Sequence, residues 1–430
     1  MSPSVVKNER VNPRVAIVGG GIGGLCLAIG LHNHNVEFHI YEAAPEFSEI
    51  GAGVGLAPNA QRAMSLIDPR IRAGYDRHAT LNLYDEKKDY FFEFRMGMDG
   101  KPDAKIAGMK SGDLLSRPGG IGKGMSMIHR ARFVEELAAL IPPSKTSFGK
   151  RLEKIVQTVE GVNMYFCDGT VAEADVVIGC DGVKSRVRQS LFGNKYDAVF
   201  SGKYAYRGLL PMQKAIDTLG ESRAGNSQAY LGYGGHVLTM QVDKGNTMNV
   251  VAFRTKTDRI WEDSRWVLPV GRPGLRKDFE GWSPEVHSIL GLMEEPDLWA
   301  LFDHPPLESL WKDRVCLLGD AAHATTPHQG SGAAMAIEDA YILSELMGMA
   351  KNIGNLEAIF RAYDAVRLDR TMKLVQTSRE CGEVYDFLDP EIQDDAAALH
   401  KNLTTRFNWI WDEDVEGQWA KARAVFMSSK

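Results

Sequence analysis

One stretch concentrates the reactive side chains of this chain: GDAAHATTPHQGSG, residues 319–332, with Asp320, His323 and His328 among three glycines. An aspartate and two histidines suit a metal site, an acid/base centre or a loop shaped around a bound group. Metal binding fails on spacing: the histidines are separated by Pro327 in a loop, no second carboxylate follows promptly, and catalytic zinc takes three protein ligands. That leaves an acid/base centre or a loop built around a ligand, in which the Gly330-Ser331-Gly332 turn would present backbone N–H groups. His323 is expected to be structural. His328, beyond Pro327, is the histidine expected to touch substrate.

Other candidates lie in the middle of the chain. Arg207 follows Tyr204 and Tyr206, and its planar guanidinium suits a carboxylate or phenolate. Tyr233 and His236 stand in a glycine-rich run, where a spacing of three puts them on opposite faces of a regular strand unless Gly234-Gly235 forms a bulge. Any of these imidazoles or phenols could act as a base, histidine's ordinary pKa of about 6.5 suiting that work near neutrality.

These residues need elements to position them. Arg14 to Val18 is a short β-branched run, followed at once by Gly19, Gly20, Gly21, Gly23 and Gly24, after which Leu25, Ala28, Ile29 and Leu31 recur at helical spacing. Strand, tight turn and helix carrying G-x-G-x-x-G form a dinucleotide cradle, with the pyrophosphate at the helix N-terminus. Glu42 ends the next strand-like run (Val36–Tyr41), where an acidic residue holds a ribose hydroxyl and disfavours a 2′-phosphate, pointing to FAD or NAD. Residues 162–182 read as a hairpin turning at Asp168-Gly169 and ending in Asp181-Gly182. Strand-like runs at 203–210, 227–242 and 247–253 predict an antiparallel sheet over the bound group. Beyond Gly332 the pattern turns helical, ending a long helix near Tyr385.

Bulk properties agree with a globular enzyme. The chain has 430 residues, enough for more than one domain. Its charge of −6 argues against a nucleic-acid partner. The five cysteines are odd in number with no CxxC, so reduced thiols in a cytoplasmic protein are expected. The uncharged run Val15–Leu31 imitates a membrane span, but six glycines spoil it, so no integral membrane association is expected. The first twelve residues read as an exposed tail.

Three motifs then carry a resemblance. ADVVIGCDGVKSRVR, ending at Arg188, resembles the DG motif of flavin-dependent aromatic hydroxylases (group A FAD monooxygenases). RVCLLGD, residues 314–320, resembles their GD motif, and His129-Arg130 before ARFVEEL resembles their flavin-contacting arginine. SRECGEVYDFLDPE (378–391), NLTTRFNWIWDED (402–414) and NVVAF (249–253) resemble the salicylate hydroxylase branch, which also includes fungal enzymes that dearomatise phenols. Trp409 and Trp411 lack the Ile-Pro of flavin halogenases, so a packing role is expected.

The resemblance implies a mixed α/β fold like that of para-hydroxybenzoate hydroxylase. A Rossmann-like FAD-binding domain (14–78, 106–190, 300–360) would be interleaved with an antiparallel substrate domain (79–105, 191–299), before a C-terminal helical region (361–430). It implies tightly but non-covalently bound FAD, contacted by Gly19, Gly21, Ile22, Gly23 and Gly24, by Glu42 and Ala43, and by Gly53 and Val54. Arg130, Asp181, Gly182 and Asp320 would follow, then Pro327, Gly330, Gly332 and Ala333. NADH or NADPH would bind transiently, there being no second GxGxxG, and O2 would be consumed. The implied reaction is hydroxylation of a small phenolic aromatic through a flavin C4a-hydroperoxide, with salicylate or a related ortho-hydroxybenzoate giving a catechol and CO2. Arg207, Tyr233, His236 and His328 would line the substrate site of a monomer or homodimer. Dearomatisation of a phenolic polyketide stays open, as does a flavin dehydrogenase or oxidase that transfers no oxygen.

Overall fold

The computed structural model describes residues 13–47, 53–118 and 125–429, so the segment read as an exposed tail lies outside the described residues. Val15–Val18 is buried throughout because parallel neighbours flank it, Phe38–Tyr41 on one side and Val176–Gly179 on the other. Strands buried on both faces read as continuous apolar runs, as this one does. Val315–Leu317 extends the parallel sheet, Thr146–Ser147 ends it at one edge, and Trp311–Lys312 pairs antiparallel at the other.

Two helices that begin at this sheet, Ile22–Asn33 and Gly332–Gly348, pack against one another. Both are buried along most of their length, so neither shows a strong amphipathic stripe.

A second sheet has eight strands. Val199–Pro211 pairs antiparallel with Thr247–Thr255, which pairs with Gly235–Val242. Alternate residues face opposite ways. Tyr206, Val237, Val250 and Ala252 pack under the helices Gly271–Asp278 and Pro284–Gly291, together with Phe279, Trp282 and Val286. Ala205, Leu238, Met240 and Phe253 face the other way, toward the C-terminal helices and the first sheet. Those helices are Leu356–Tyr385, Ala396–Thr405, Asn408–Trp411 and Val415–Ser428. Trp411 stacks on Phe407 with ring centres 4.7 Å apart and meets Phe91 edge-on, which is packing.

Three expectations are corrected. The run 227–242 is two strands, Gln228–Gly232 and Gly235–Val242, because Gly234 takes a φ of +74° and reverses the chain. The expected hairpin 162–182 closes earlier, between Val162–Phe166 and Val171–Ala174; the following strand Val176–Gly179 leaves it for the parallel sheet. Two of the expected domain boundaries also divide the eight-stranded sheet. Leu114–Ser116 still pairs with Glu93–Met96 in the eight-stranded sheet, beyond residue 106, and Asp297–Asp303 of that sheet runs through residue 300.

Candidate active site

A cavity of about 440 Å³ lies between the loops at the ends of the first sheet's strands and one face of the eight-stranded sheet. Its first wall is the glycine turn after Val18. Gly19 has a φ of +107°, and a Cβ there would collide with the Cys180 carbonyl; one on Gly24 would collide with Gly19's own carbonyl. These glycines let the turn pack tightly between the strand end at Cys180 and the start of the helix Ile22–Asn33. Gly21, Ile22, Gly23 and Gly24 line the cavity, as do Gly53, Val54 and Arg130. Gly182, Asp320, Pro327, Gly330, Gly332 and Ala333 line it as well.

Four expected cofactor residues sit behind that wall. Gly19 shapes the turn. Glu42 accepts hydrogen bonds from the backbone N–H of Gly20 at 2.6 Å and of Ala44 at 2.7 Å, so it braces the glycine turn, and Ala43 lies between those anchors. Asp181 accepts from Ser185 Oγ (2.5 Å) and from the N–H groups of Arg186 (2.7 Å) and Val187 (3.2 Å). Its carboxylate thus holds the start of the helix Arg186–Phe192, leaving Gly182 to face the cavity. Buried Arg188 donates to the carbonyls of Ala322 and Pro305, tying this turn to the GD loop.

The cavity suits a dinucleotide flavin. The helices Ile22–Asn33 and Gly332–Gly348 both start at it, with no side-chain cap and no acidic residue in the first turn. Their unpaired N–H groups and positive dipole ends are open to negative charge. Asp320 is exposed to the cavity, and its carboxylate accepts no hydrogen bond among the described residues, which suits polyol hydroxyls.

Behind Asp320 the loop is anchored. His323 Nε2 lies 2.6 Å from Asp339 Oδ2, which also accepts from the Gly319 N–H at 3.1 Å. Arg367 Nε donates to Asp339 Oδ1 (2.7 Å) and its Nη1 to Glu338 Oε2 (2.5 Å). Burial opposes ionisation of Asp339, but His323 and Arg367 hold its pKa at about 2. His323 is structural in this geometry, and among the described residues no cluster of three or more His, Cys, Asp or Glu side chains could hold a metal.

The opposite wall is one face of the eight-stranded sheet: Ala205 and Arg207, Leu238 and Met240, Asn249, Val251 and Phe253, and Trp299. Period-two alternation in 203–210 and 249–253 is the signal that marks these residues, and among them Arg207 stands out by its charge. Phe91, Phe92, Met125 and Met127 close one end, and nothing in their local pattern announced it. Arg207 lies over Trp299, 5.4 Å from its ring centre. It forms no ion pair among the described residues, although Asp297 is its register neighbour. Burial, and then Arg130, push its pKa down, so an anion beside it would relieve both effects.

His328 lines the cavity and is buried, with no hydrogen bond at either ring nitrogen. Burial first, then His236 and Lys203, lower its pKa well below 6.5, leaving a neutral imidazole. Two expected substrate residues are not at the cavity surface. His236 is wholly buried behind it, stacked on Phe253 with ring centres 4.4 Å apart. Tyr233 sits at the hairpin turn, its hydroxyl donating to Asp394 at 2.8 Å and its ring under Lys101. The reversal at Gly234 turned it away. Spacing of three puts His236 and Tyr233 on opposite faces of a regular strand unless Gly234-Gly235 interrupts it; the glycine pair forms a full hairpin turn, and neither side chain reaches the cavity surface.

Comparison with known proteins agrees with this geometry. A family described as FAD binding domain matches residues 12–197 and 303–378. The 6-methylsalicylate 1-monooxygenase of Aspergillus terreus is 43% identical over 412 residues, 94% of this chain and 90% of that protein. A salicylate hydroxylase of Pseudomonas putida is 37% identical over 434 residues, covering 97% and 96%. A solved salicylate hydroxylase substrate complex superposes with a TM-score of 0.83 at 34% identity, covering 96% of this chain and 98% of that one. No helix among the described residues is long and apolar enough to cross a membrane.

Proposed function

Given that the chain belongs to the FAD-dependent monooxygenases related to salicylate hydroxylase, we propose that it hydroxylates a small ortho-hydroxybenzoate, salicylate or a methylated salicylate, with NADH or NADPH as reductant. The observation that carries this reading is Arg207: a guanidinium without an acidic partner, set in a cavity wall of Trp299, Phe253, Leu238 and Val251. An aromatic ring bearing one carboxylate complements that wall, ring against the apolar side chains and anion against Arg207. Leu238, Met240 and Val251 leave apolar surface for a methyl group.

FAD bound in the cradle supplies electron acceptance from the nicotinamide and activation of O2 for oxygen transfer to the ring. The uncapped start of Gly332–Gly348 offers positive potential and N–H donors to negative charge on the ring system. Asp320 holds ribityl hydroxyls, and Gly330 and Pro327 bring backbone close while keeping water out. On this reading His328, neutral in the cavity wall, takes the hydroxyl proton of the substrate. The phenolate so formed is a stronger ring nucleophile, and attack at the carboxyl-bearing carbon releases CO2 and leaves a catechol. The five free thiols favour a cytoplasmic setting for a monomer or homodimer.

The test is turnover with NADH or NADPH against salicylates and neutral phenols, with products identified by mass. A catechol with CO2 supports the proposal; a dearomatised hydroxydienone would replace it by the polyketide reading, and nicotinamide oxidation without oxygen incorporation by the oxidase reading. Arg207→Gln is expected to raise KM for a salicylate roughly 10- to 100-fold, the worth of a charged hydrogen bond. An unchanged KM would remove Arg207 from the substrate site.

A further inference from the structure

Behind His328 lies a set of buried groups that neither the cofactor cradle nor Arg207 uses. His236 Nδ1 is 2.7 Å from Asp386 Oδ1. The other carboxylate oxygen, Oδ2, accepts from Lys203 Nζ at 2.5 Å and from Thr255 Oγ1 at 2.6 Å. Lys203, His236 and Asp386 are all at most 2% exposed. Burial opposes the charge on Asp386, but Lys203 and His236 hold it ionised. A carboxylate only accepts, so His236 must carry its proton on Nδ1 and leave a lone pair on Nε2.

That Nε2 makes no hydrogen bond, and neither does Nδ1 or Nε2 of His328, whose ring centre lies 5.3 Å from that of His236. Three ring nitrogens buried without partners cost stability, which apolar side chains of similar size would avoid. Phe253 and Tyr385 already supply apolar packing around the pair. The remaining charged or titratable neighbours are Tyr385, edge-on to His236, Cys381 on the same helix, and Glu383, which lies 3.5 Å from Lys203 and pairs with Arg259 at the surface.

We propose that Asp386 is a positioning residue for proton removal. It holds His236 as the Nδ1–H tautomer, so that Nε2 receives the substrate's hydroxyl proton by way of His328. Lys203 and Thr255 keep Asp386 ionised, so it stabilises the imidazolium without taking the proton. In this step the phenol O–H bond breaks and its electron pair stays on oxygen. The proton bonds to the bare nitrogen of His328; release of the proton on its other nitrogen to His236 Nε2 requires the two rings, 5.3 Å apart between centres, to close to hydrogen-bond distance when substrate binds. No electrons are transferred. The inference rests on the aromatic-hydroxylase reading.

Oxidised holoenzyme titrated with 4-nitrosalicylate tests it directly, because phenol and phenolate forms of the probe absorb differently. Read as difference spectra, the bound probe is expected to ionise about one pH unit or more below its solution value in the wild type. Asp386→Asn should abolish that shift while leaving the probe's Kd within about twofold, and Asp386→Glu should restore part of it. If Asp386→Asn does not fold, Thr255→Val decides: it removes one hydrogen bond to Oδ2 and should reduce the shift in the same direction. Equal ionisation in wild type and folded variants would overturn the role of Asp386. A clear wild-type shift, lost in Asp386→Asn, in a protein that hydroxylates no benzoate would overturn the functional reading and leave the Asp386–His236 coupling standing.

Discussion

His323 and His328 lie on one loop, both buried, and the two regions they belong to are built on opposite principles. Around His323, Asp339, Arg367 and Glu338 bond one another, with Gln418, Asn59 and Arg370 completing the shell. Around His328 and His236, charge is concentrated at one end, on Asp386 and Lys203, and ring nitrogens nearer the cavity are left open. A buried network with its charges matched fixes geometry. One that leaves acceptors open gives up stability for chemistry, since an open nitrogen can take a proton when substrate arrives. On the proposed reading the loop needs both: the His323 side would hold Asp320 for the cofactor, and the His328 side would work on the substrate beside it.

The largest effect that could break this contrast is expected at Asp339. Asp339→Asn leaves the buried Arg367 short of a counter-charge and should cost roughly 3–5 kcal/mol of unfolding free energy, with loss of flavin on purification. Denaturant unfolding followed by bound-flavin absorbance checks it, and full stability would mean the network is not the anchor. His323→Gln should cost less, about 1–3 kcal/mol, because Asp339 keeps Arg367 and the Gly319 N–H.

On the other side the signature is pH dependence. His328 is held well below 6.5 in the fold, so the unfolded chain binds the extra proton first as pH falls. Its contribution is fully present above pH 6.5 and is lost progressively below it. His328→Gln should therefore flatten the acid limb of the stability curve by about 1.4 kcal/mol per pH unit. Melting temperatures from pH 7 to pH 5 would show it, and an unchanged slope would place the imidazole in a less buried setting. Buried His304, pushed down to about 3 by burial and Arg188, contributes an acid limb that this substitution leaves intact. The smallest effect is expected at Tyr233. Tyr233→Phe removes one hydrogen bond to Asp394, worth about 1 kcal/mol or less, and should leave kcat/KM within about twofold. A large loss of kcat/KM would return Tyr233 to the substrate site.

How much of the site was legible follows from how local each signal is. The glycine turn at 19–24 and the Gly330-Ser331-Gly332 turn are local features, because a backbone that must approach a ligand shows its need in consecutive residues. Arg207 was legible because a charge stands out in a strand of aromatics. Glu42 and Asp181 carry a local signal as cofactor contacts, and in the fold their carboxylates also accept from backbone N–H groups two to six residues away or across the turn. Asp386 carries no local signal: in YDFLDPE it looks like any acidic residue at a helix end, and its partner Lys203 is 183 positions distant.

The amino-acid sequence by itself determined the dinucleotide cradle, the order of strand, turn and helix around it, and a sheet of alternating side chains. These are set by periodicity, backbone freedom and unpaired N–H groups, all of which act over a few residues. Only the tertiary structure decided which polar side chains face the cavity. A single reversal at Gly234 separated Tyr233 from His236, and a carboxylate from the last long helix chose the tautomer of a histidine in the middle sheet. Burial and long-range pairing set those outcomes, and neither is written in local spacing.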